Sequence, residues 1–306
     1  MGDCAIIIPN YCGRFLLETY LPGIVRCLGQ TVTVVDDAST DDSVAYLRQA
    51  FPEVQTLALS TNSGFSVAVN SATRVTDGQF VVLLNNDVEV TPGFLDSIMP
   101  LFADESVFSV SPRIVLPSRG DMDEGAKSGF WHHGLFFTDQ EQGVSQVRPI
   151  LYCTGCAAVY RRSMLEELGG FDEAYSPFYW EDVDLGYRAW KRGWKSIYQP
   201  ASTVYHQHSA SISKIRAGYT NRIKARNALL FIWRNIDDLG LVSWHRRWLP
   251  LVLMRRAASG DAAFVRGWRD AFALRRDAAE ARTRDAGHRV LSDREIFAQT
   301  GIEVPL

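Results

Sequence analysis

The sequence predicts an α/β protein: a mostly parallel central sheet flanked by helices, followed by a helical C-terminal extension. Three observations carry this. Short β-branched runs alternate with segments of helical apolar spacing from Ala5 to Phe102. The alternation stops after residues 107–111, and from Trp244 onward the chain is Arg-rich and helical in period.

Taken in order, residues 5–8 and 31–35 are short strands, and residues 15–28 between them have helical spacing, giving a strand-helix-strand unit. The pattern continues with a helix at 41–50, a strand at 54–59, a helix at 65–73, a strand at 80–84 and a helix at 92–102. Such alternation implies parallel strands joined by right-handed crossovers, and ligands bind such sheets at the carboxyl ends of the strands. Three polar turns are expected at that edge: Pro9-Asn10-Tyr11, Asp36-Asp37-Ala38-Ser39 and Asn85-Asn86-Asp87. Residues 117–148, rich in Gly, Ser, Asp and Gln, read as a long recognition loop with one short hairpin. Order returns with a strand from 151 to 160, a short helix from Arg162, a helix from Glu181 to Arg192, strands near Ile197 and Val204, and a helical block from Gly218.

The composition fits a globular chain. With 306 residues, 46% hydrophobic and 22% charged, it buries a large core in one domain or two closely joined ones. A net charge of -3 excludes a nucleic-acid partner as the expectation. Five cysteines at irregular spacing, with no secretory signal before the first strand, favour a reducing, cytoplasmic setting. The longest apolar candidate for a membrane span, residues 248–254, is flanked by arginines and far short of the roughly 18 to 20 residues required. Three regions are expected: 1–112 for nucleotide binding, 113–236 for the acceptor and catalysis, and 237–306 as the Arg/Trp-rich extension.

Two acidic clusters carry the chemistry. Asp87 ends the strand at 80–84, where a carboxylate suits a hard divalent cation whose shell a diphosphate completes, with Asn85 and Asn86 as neutral polar neighbours. The bland reading is a strand end that caps a turn. Glu181-Asp182-Val183-Asp184 opens a helix, where acids are favoured by the dipole, but Phe178, Tyr179 and Trp180 precede it, and partial desolvation makes one carboxylate a candidate general base. Asp182 and Asp184 lie about 200° apart around a helix, so only one faces a cleft. Asp36 has both a ligand-contacting and a turn reading, whereas Ser39 to Asp42 read chiefly as a cap. Asn62-Ser63-Gly64-Phe65 faces an anion or forms only a turn. His206 and His208 share one face of a strand and read as metal ligands or polar loop residues. Cys153 and Cys156 resemble half a zinc site without its second half, so zinc is not expected.

In order along the chain, Ile8-Pro9-Asn10-Tyr11, Val35 to Asp41, Asn62 to Phe65, Leu84 to Val88, and Gly169-Gly170-Phe171-Asp172-Glu173 through Glu181 to Leu185 together resemble the family 2 glycosyltransferases, and within them the rhamnosyltransferase-like branch that builds bacterial surface polysaccharides. The resemblance implies a GT-A type fold and an inverting transfer from a nucleotide diphosphate sugar, of dTDP or UDP type, to a glycan or lipid-linked glycan. It implies Asp36 at the base, with Pro9, Asn10, Tyr11, Asn62 and Asn86 beside the donor. Asp87 and His206 would bind a divalent metal, Mn²⁺ or Mg²⁺, Asp182 would be the base, and Trp180, Glu181 and Gly155 would meet the acceptor. Arg226-Asn227 match a late pair near the donor. The usual Asp-x-Asp metal motif has Asn85 first here, which leaves one carboxylate and raises the importance of His206.

The C-terminal Arg/Trp block has two readings, a solvated helical bundle or a surface resting on anionic lipid at the inner face of the membrane. Two rival functions remain. A sugar-phosphate nucleotidyltransferase needs a Gly-rich triphosphate loop, where residues 6–14 offer only Gly13. A nucleotide-sugar or glycan-binding module without turnover is disfavoured by Asp87 and Asp182.

Overall fold

The computed structural model describes residues 3–207 and 217–304; His208 lies outside the described residues. The central sheet is built from β1 (Cys4–Asn10), β2 (Val32–Asp36), β3 (Gln55–Ala58), β4 (Phe80–Leu84), β5 (Val88–Val90), β6 (Val107–Leu116), β7 (Met122–Asp123), β10 (Arg148–Ile150), β11 (Ala157–Arg161) and β12 (Lys195–His206), with β8 (Lys127–His132) and β9 (Leu135–Gln140) forming a separate hairpin. Its path runs β10-β12-β6-β11-β4-β1-β2-β3, with β5 against β12 and β7 against β6. The N-terminal part of the sheet, β3-β2-β1-β4, is wholly parallel. The second half is mixed: β11 runs antiparallel between β4 and β6, while β6 and β12 are parallel.

The run of Cys4 to Ile8 is buried throughout because helices cover both faces of the sheet. Its side chains alternate: Ile6 and Ile8 pack with Val34 and Val82 against Leu17, Leu21 and Ile24 of α1 (Arg14–Leu28), while Ile7 packs with Val35, Val81 and Leu83 against Ala68, Val69 and Ala72 of α3 (Phe65–Val75). Helix α2 (Ser43–Ala50) closes the edge near β3.

The segment expected to be helical at 92–102 is instead a series of turns ending in a 3₁₀ helix, Met99–Ala103. Pro92 and Gly93 open it and Pro100 interrupts it, and Phe94, Leu95, Ile98 and Phe102 still reach the core. The two strands expected near Ile197 and Val204 are one strand, β12, with its register broken between Gln199 and Thr203. Residues 151–156 are a loop, and the strand expected there begins at Ala157.

The remaining helices are α4 (Arg162–Glu167), α5 (Glu181–Lys191), α6 (Ala217–Asn235), α7 (Leu239–Ala258), α8 (Ala262–Ala273), α9 (Arg275–Asp285) and α10 (Asp293–Thr300). Asp238, Asp261 and Ser292 cap α7, α8 and α10 by accepting from backbone N–H groups, the last as a full capping box. These helices share one core with the hairpin and α5, in which Trp131, Phe136, Tyr187, Trp190, Phe231 and Phe297 pack together.

The topology positions the site. β1, β2, β4, β6 and β12 all end at the same sheet edge, and β11, antiparallel to β4, begins there. At that edge the Asn85 N–H donates to the Cys156 carbonyl at 2.8 Å, joining the two acidic regions through backbone.

Candidate active site

At the ends of β1 and β2, Asn10 and Asp36 stand side by side in register. The Asn10 amide donates to Asp36 Oδ2 at 2.8 Å, Asn86 donates to Asn10 Oδ1 at 2.7 Å, and Ser39 donates to Asp36 from both its N–H (2.8 Å) and its hydroxyl (2.6 Å). Ser39, read from sequence as part of a cap, therefore belongs to the Asp36 network; Asp41 takes the capping role by accepting the Ser43 N–H at 3.1 Å. A Cβ on Gly13 would lie 2.3 Å from Asn86 Nδ2 and 2.4 Å from Asn10 Oδ1, so only glycine lets the chain pass this cluster. Pro9 is partly buried beside it and Tyr11 is exposed.

Asp37 fixes the next turn. It accepts from the N–H groups of Ser63 and Gly64, both at 2.8 Å, and its carbonyl accepts from the Asn62 side chain at 3.2 Å. Gly64 has φ +92°, and the Phe65 N–H beyond it donates to the Pro177 carbonyl at 3.0 Å, which ties the start of α3 to the loop before α5.

Asp87 is buried and meets His206, whose Nε2 lies 3.2 Å from its Oδ1. The pairing of His206 with Val88 and the Gln207 N–H bond to the Asp87 carbonyl at 3.2 Å set this contact. On the other side of the ring, Nδ1 is 3.6 Å from Oε2 of Glu124, which in turn lies 3.4 Å from Lys127. Burial opposes protonation of His206, but Cys156, Asp87 and Glu124 outweigh it and push its pKa up to about 12. Among the described residues no group of three or more His, Cys, Asp or Glu side chains is arranged to hold a metal.

Glu124 and Asp182 line one cavity of about 590 Å³, together with Lys127, Tyr152, Thr154, Tyr179, Trp180 and Lys224. His206 and Glu124 thus connect Asp87 to the chamber that holds Asp182, although Asp87 does not line it. Asp182 opens α5, and it accepts from the N–H groups of Gly155 (3.1 Å) and Val183 (2.8 Å). Burial raises its pKa, against the pull of those N–H groups and of the Lys127 charge. Glu181 is buried, with Oε2 unpartnered among the described residues, and its pKa is raised well above the usual carboxyl value by burial and by the Asp182 charge. The N–H bonds favour the charge on Asp182, whereas burial and the neighbouring Asp182 charge favour the protonated form of Glu181.

Tyr179 and Trp180 both have positive φ, 70° and 78°. Asn227 holds this strained segment: its amide nitrogen reaches the carbonyls of Tyr179 (2.7 Å), Tyr175 (2.8 Å) and Phe178 (3.2 Å). Arg226 donates to the carbonyls of Tyr175 and Ser176. Asp184 points away from the cavity, fully buried, and accepts from Tyr175 (3.0 Å), Arg188 (2.6 Å) and Asn235 (2.8 Å). The helical-wheel expectation of one cleft-facing acid therefore selects Asp182.

Asn10, Asp36 and Asn86 come together in one network, with Asn62 on the adjoining turn. Of the residues expected at the acceptor, Trp180 lines the cavity, packing on Phe231 with ring centroids 5.3 Å apart. Gly155 contributes only its N–H, and a Cβ there would lie 2.8 Å from the Phe65 ring. Glu181 is not among the lining residues. Glu124 and Lys127 were not singled out from sequence. They sit in the region read as a loop, where no periodicity or motif marks an isolated Glu or Lys as a site residue.

A family sequence profile described as "Glycosyl transferase family 2" matches residues 5–169. An N-acetylglucosaminyl-diphospho-decaprenol L-rhamnosyltransferase of Mycobacterium tuberculosis is 30% identical over 233 residues, 66% of this chain and 75% of that protein. A pre-mycofactocin glycosyltransferase of the same species is 31% identical over 218 residues, 69% of this chain and 44% of that protein. Among solved structures, GalNAc-T7 with UDP, GalNAc and Mn²⁺ has a TM-score of 0.71 at 15% identity, covering 98% of this chain and 57% of its own. S. aureus TarS 1–349 with UDP-GlcNAc has a TM-score of 0.60 at 13% identity, covering 99% and 93%. These structural likenesses concern the fold, and the sequence matches concern lineage: the chain belongs to glycosyl transferase family 2 and is a glycosyltransferase with a GT-A-like fold.

Proposed function

We propose that the protein is an inverting glycosyltransferase that moves a sugar from a dTDP- or UDP-type nucleotide diphosphate donor to a hydroxyl of a glycan or lipid-linked glycan. The single observation that carries this is the position of Asp182 in the 590 Å³ cavity, where its carboxylate accepts from the Gly155 and Val183 N–H groups. Residues 1–112 hold the donor, with the Asn10–Asp36–Asn86 network at the nucleotide. Residues 113–236 supply the acceptor chamber and the base.

In this reading Asp87 and His206 would hold a divalent metal, the ion taking the place of the proton that His206 carries in its absence, with diphosphate oxygens as the further ligands. Such an ion, when bound, offsets charge on the departing diphosphate. Asp182 accepts the proton of the acceptor hydroxyl as that oxygen attacks the anomeric carbon from the face opposite the diphosphate. The C1–oxygen bond to the diphosphate breaks, the new glycosidic bond forms with inverted configuration, and the proton rests on Asp182. Tyr179, Trp180 and Tyr152 line the same cavity as the carboxylate.

The Mycobacterium tuberculosis relative is an N-acetylglucosaminyl-diphospho-decaprenol L-rhamnosyltransferase, and this favours a lipid-linked diphosphate acceptor here. No described helix is long and apolar enough to cross a membrane. Contact with a bilayer would instead be peripheral, at the cytoplasmic face, through α7: it carries Arg246, Arg247, Arg255 and Arg256, has no acidic residue, and exposes Leu251 and Met254. Sedimentation with anionic but not neutral vesicles is the expected result, and equal behaviour would remove the membrane part.

The test of function is incubation with a panel of nucleotide sugars and Mn²⁺. Release of nucleoside diphosphate with transfer to a hydroxyl, and an inverted anomeric proton coupling in the product, is expected. Pyrophosphate release, or binding without turnover, would overturn the proposal.

A further inference from the structure

The cavity beside Asp182 is larger than one sugar ring needs, and its walls differ in kind. Three cations line it: Lys127, Lys224 and Arg256. Lys127 is paired with Glu124 at 3.4 Å and Arg256 with Asp261 at 3.0 Å. Lys224 has no carboxylate partner among the described residues; its ammonium lies 4.3 Å from the centre of the Tyr179 ring, on the strained segment next to the base. Partial burial, and then the charge of Arg119, lower its pKa, so a second cation stands near it. The same cavity is also lined by the apolar side chains of Phe136, Phe137 and Leu229 and, from the C-terminal helices, Phe264. A cation without a carboxylate partner among the described residues, in one chamber with several apolar side chains, matches an amphiphile with an anionic head.

We propose that this chamber binds the acceptor's anchor as well as its sugar, with a phosphate group on Lys224 and an apolar chain along Phe136, Phe137, Leu229 and Phe264. The inference rests on the glycosyltransferase reading and adds to it the chemistry that selects the acceptor. It gives the C-terminal helices a direct role, since Phe264 and Arg256 belong to α8 and α7. It also separates two phosphate sites, the donor's at Asp87 and the acceptor's at Lys224.

Binding of three probes, read by the fluorescence of cavity-lining Trp180, tests this: farnesyl diphosphate, farnesol and UDP. The wild type is expected to bind farnesyl diphosphate about tenfold more tightly than farnesol, the effect of one charge-assisted contact. Lys224→Met should abolish that preference while leaving farnesol and UDP affinity within about twofold, and Lys224→Arg should restore it. Phe264→Ala should weaken farnesol and farnesyl diphosphate alike. Three outcomes would overturn the proposal: unchanged farnesyl diphosphate binding in Lys224→Met; a loss confined to UDP, which assigns the cation to the donor; or equal loss for all three probes, which marks a structural role. Absence of sugar transfer from every nucleotide sugar, with the farnesyl diphosphate preference intact, would sink the functional reading and leave this site standing.

Discussion

The side-chain amide of Asn227 reaches the carbonyl oxygen of Tyr179 at 2.7 Å, and Tyr179 is the first of two successive non-glycine residues with positive φ that lead into Glu181 and Asp182. Each such residue costs about 1–2 kcal/mol, and the segment keeps this shape because Asn227 also holds the carbonyls of Tyr175 and Phe178. Asn227→Ala removes this donor from the Tyr179 and Phe178 carbonyls and leaves the Tyr175 carbonyl only Arg226. It is expected to lower stability by about 1–3 kcal/mol and kcat by about tenfold or more, with donor KM little changed. Separate measurement of kcat and donor KM checks this, and an unchanged kcat would refute the positioning role.

Glu181 gives a pH signature. Its folded-state pKa is raised, so the folded protein holds this proton more tightly than the unfolded chain. The associated stability is fully present below the ordinary glutamate pKa and is lost as pH rises through the raised folded value. Glu181→Gln keeps the neutral form at every pH. The difference in Tm, variant minus wild type, should therefore grow as pH rises through that window; a difference that stays flat would show that Glu181 is not held neutral.

Two glycines separate strain from propensity. Gly64 has φ +92°, and a Cβ there would lie 2.8 Å from the Pro177 Cα and carbonyl oxygen, whereas a Cβ on Gly23 meets nothing within 4 Å. Gly64→Ala is expected to destabilise by about 1–3 kcal/mol and to weaken donor binding, because the Gly64 N–H is held by Asp37. Gly23→Ala, inside α1, should stabilise by about 0.5–1 kcal/mol. Chemical denaturation of both variants reads the opposite signs.

His206 touches Asp87 through Nε2, so His206→Ala should raise the Mn²⁺ concentration needed for half-maximal activity by at least about tenfold after chelation of the wild type and variant. An identical Mn²⁺ titration for the two proteins would remove His206 from the metal site.

Much of this was legible in the sequence because period-2 and period-3.6 patterns depend on local burial: β1, β2, β4, α1 and α3 fall where the apolar runs put them. The 92–102 segment misled because its apolar spacing is helical while Pro92, Gly93 and Pro100 break the backbone ladder, and packing of Phe94 and Ile98 prevailed. The polar residues at strand ends were found because parallel topology fixes where ends converge. Glu124 and Lys127 were not, since they sit just after the two-residue β7 and at the first position of β8, in a stretch that leaves no periodic trace. The role of Asn227 was likewise hidden, because three backbone carbonyls from a distant loop carry no sequence signal.

The most direct test of the account is the transfer rate of Asp182→Asn with donor affinity measured in parallel. The account predicts a fall in kcat of about 10²-fold or more with donor binding retained, since the amide cannot take the acceptor's proton. Turnover close to that of the wild type, with the donor still bound, would contradict it.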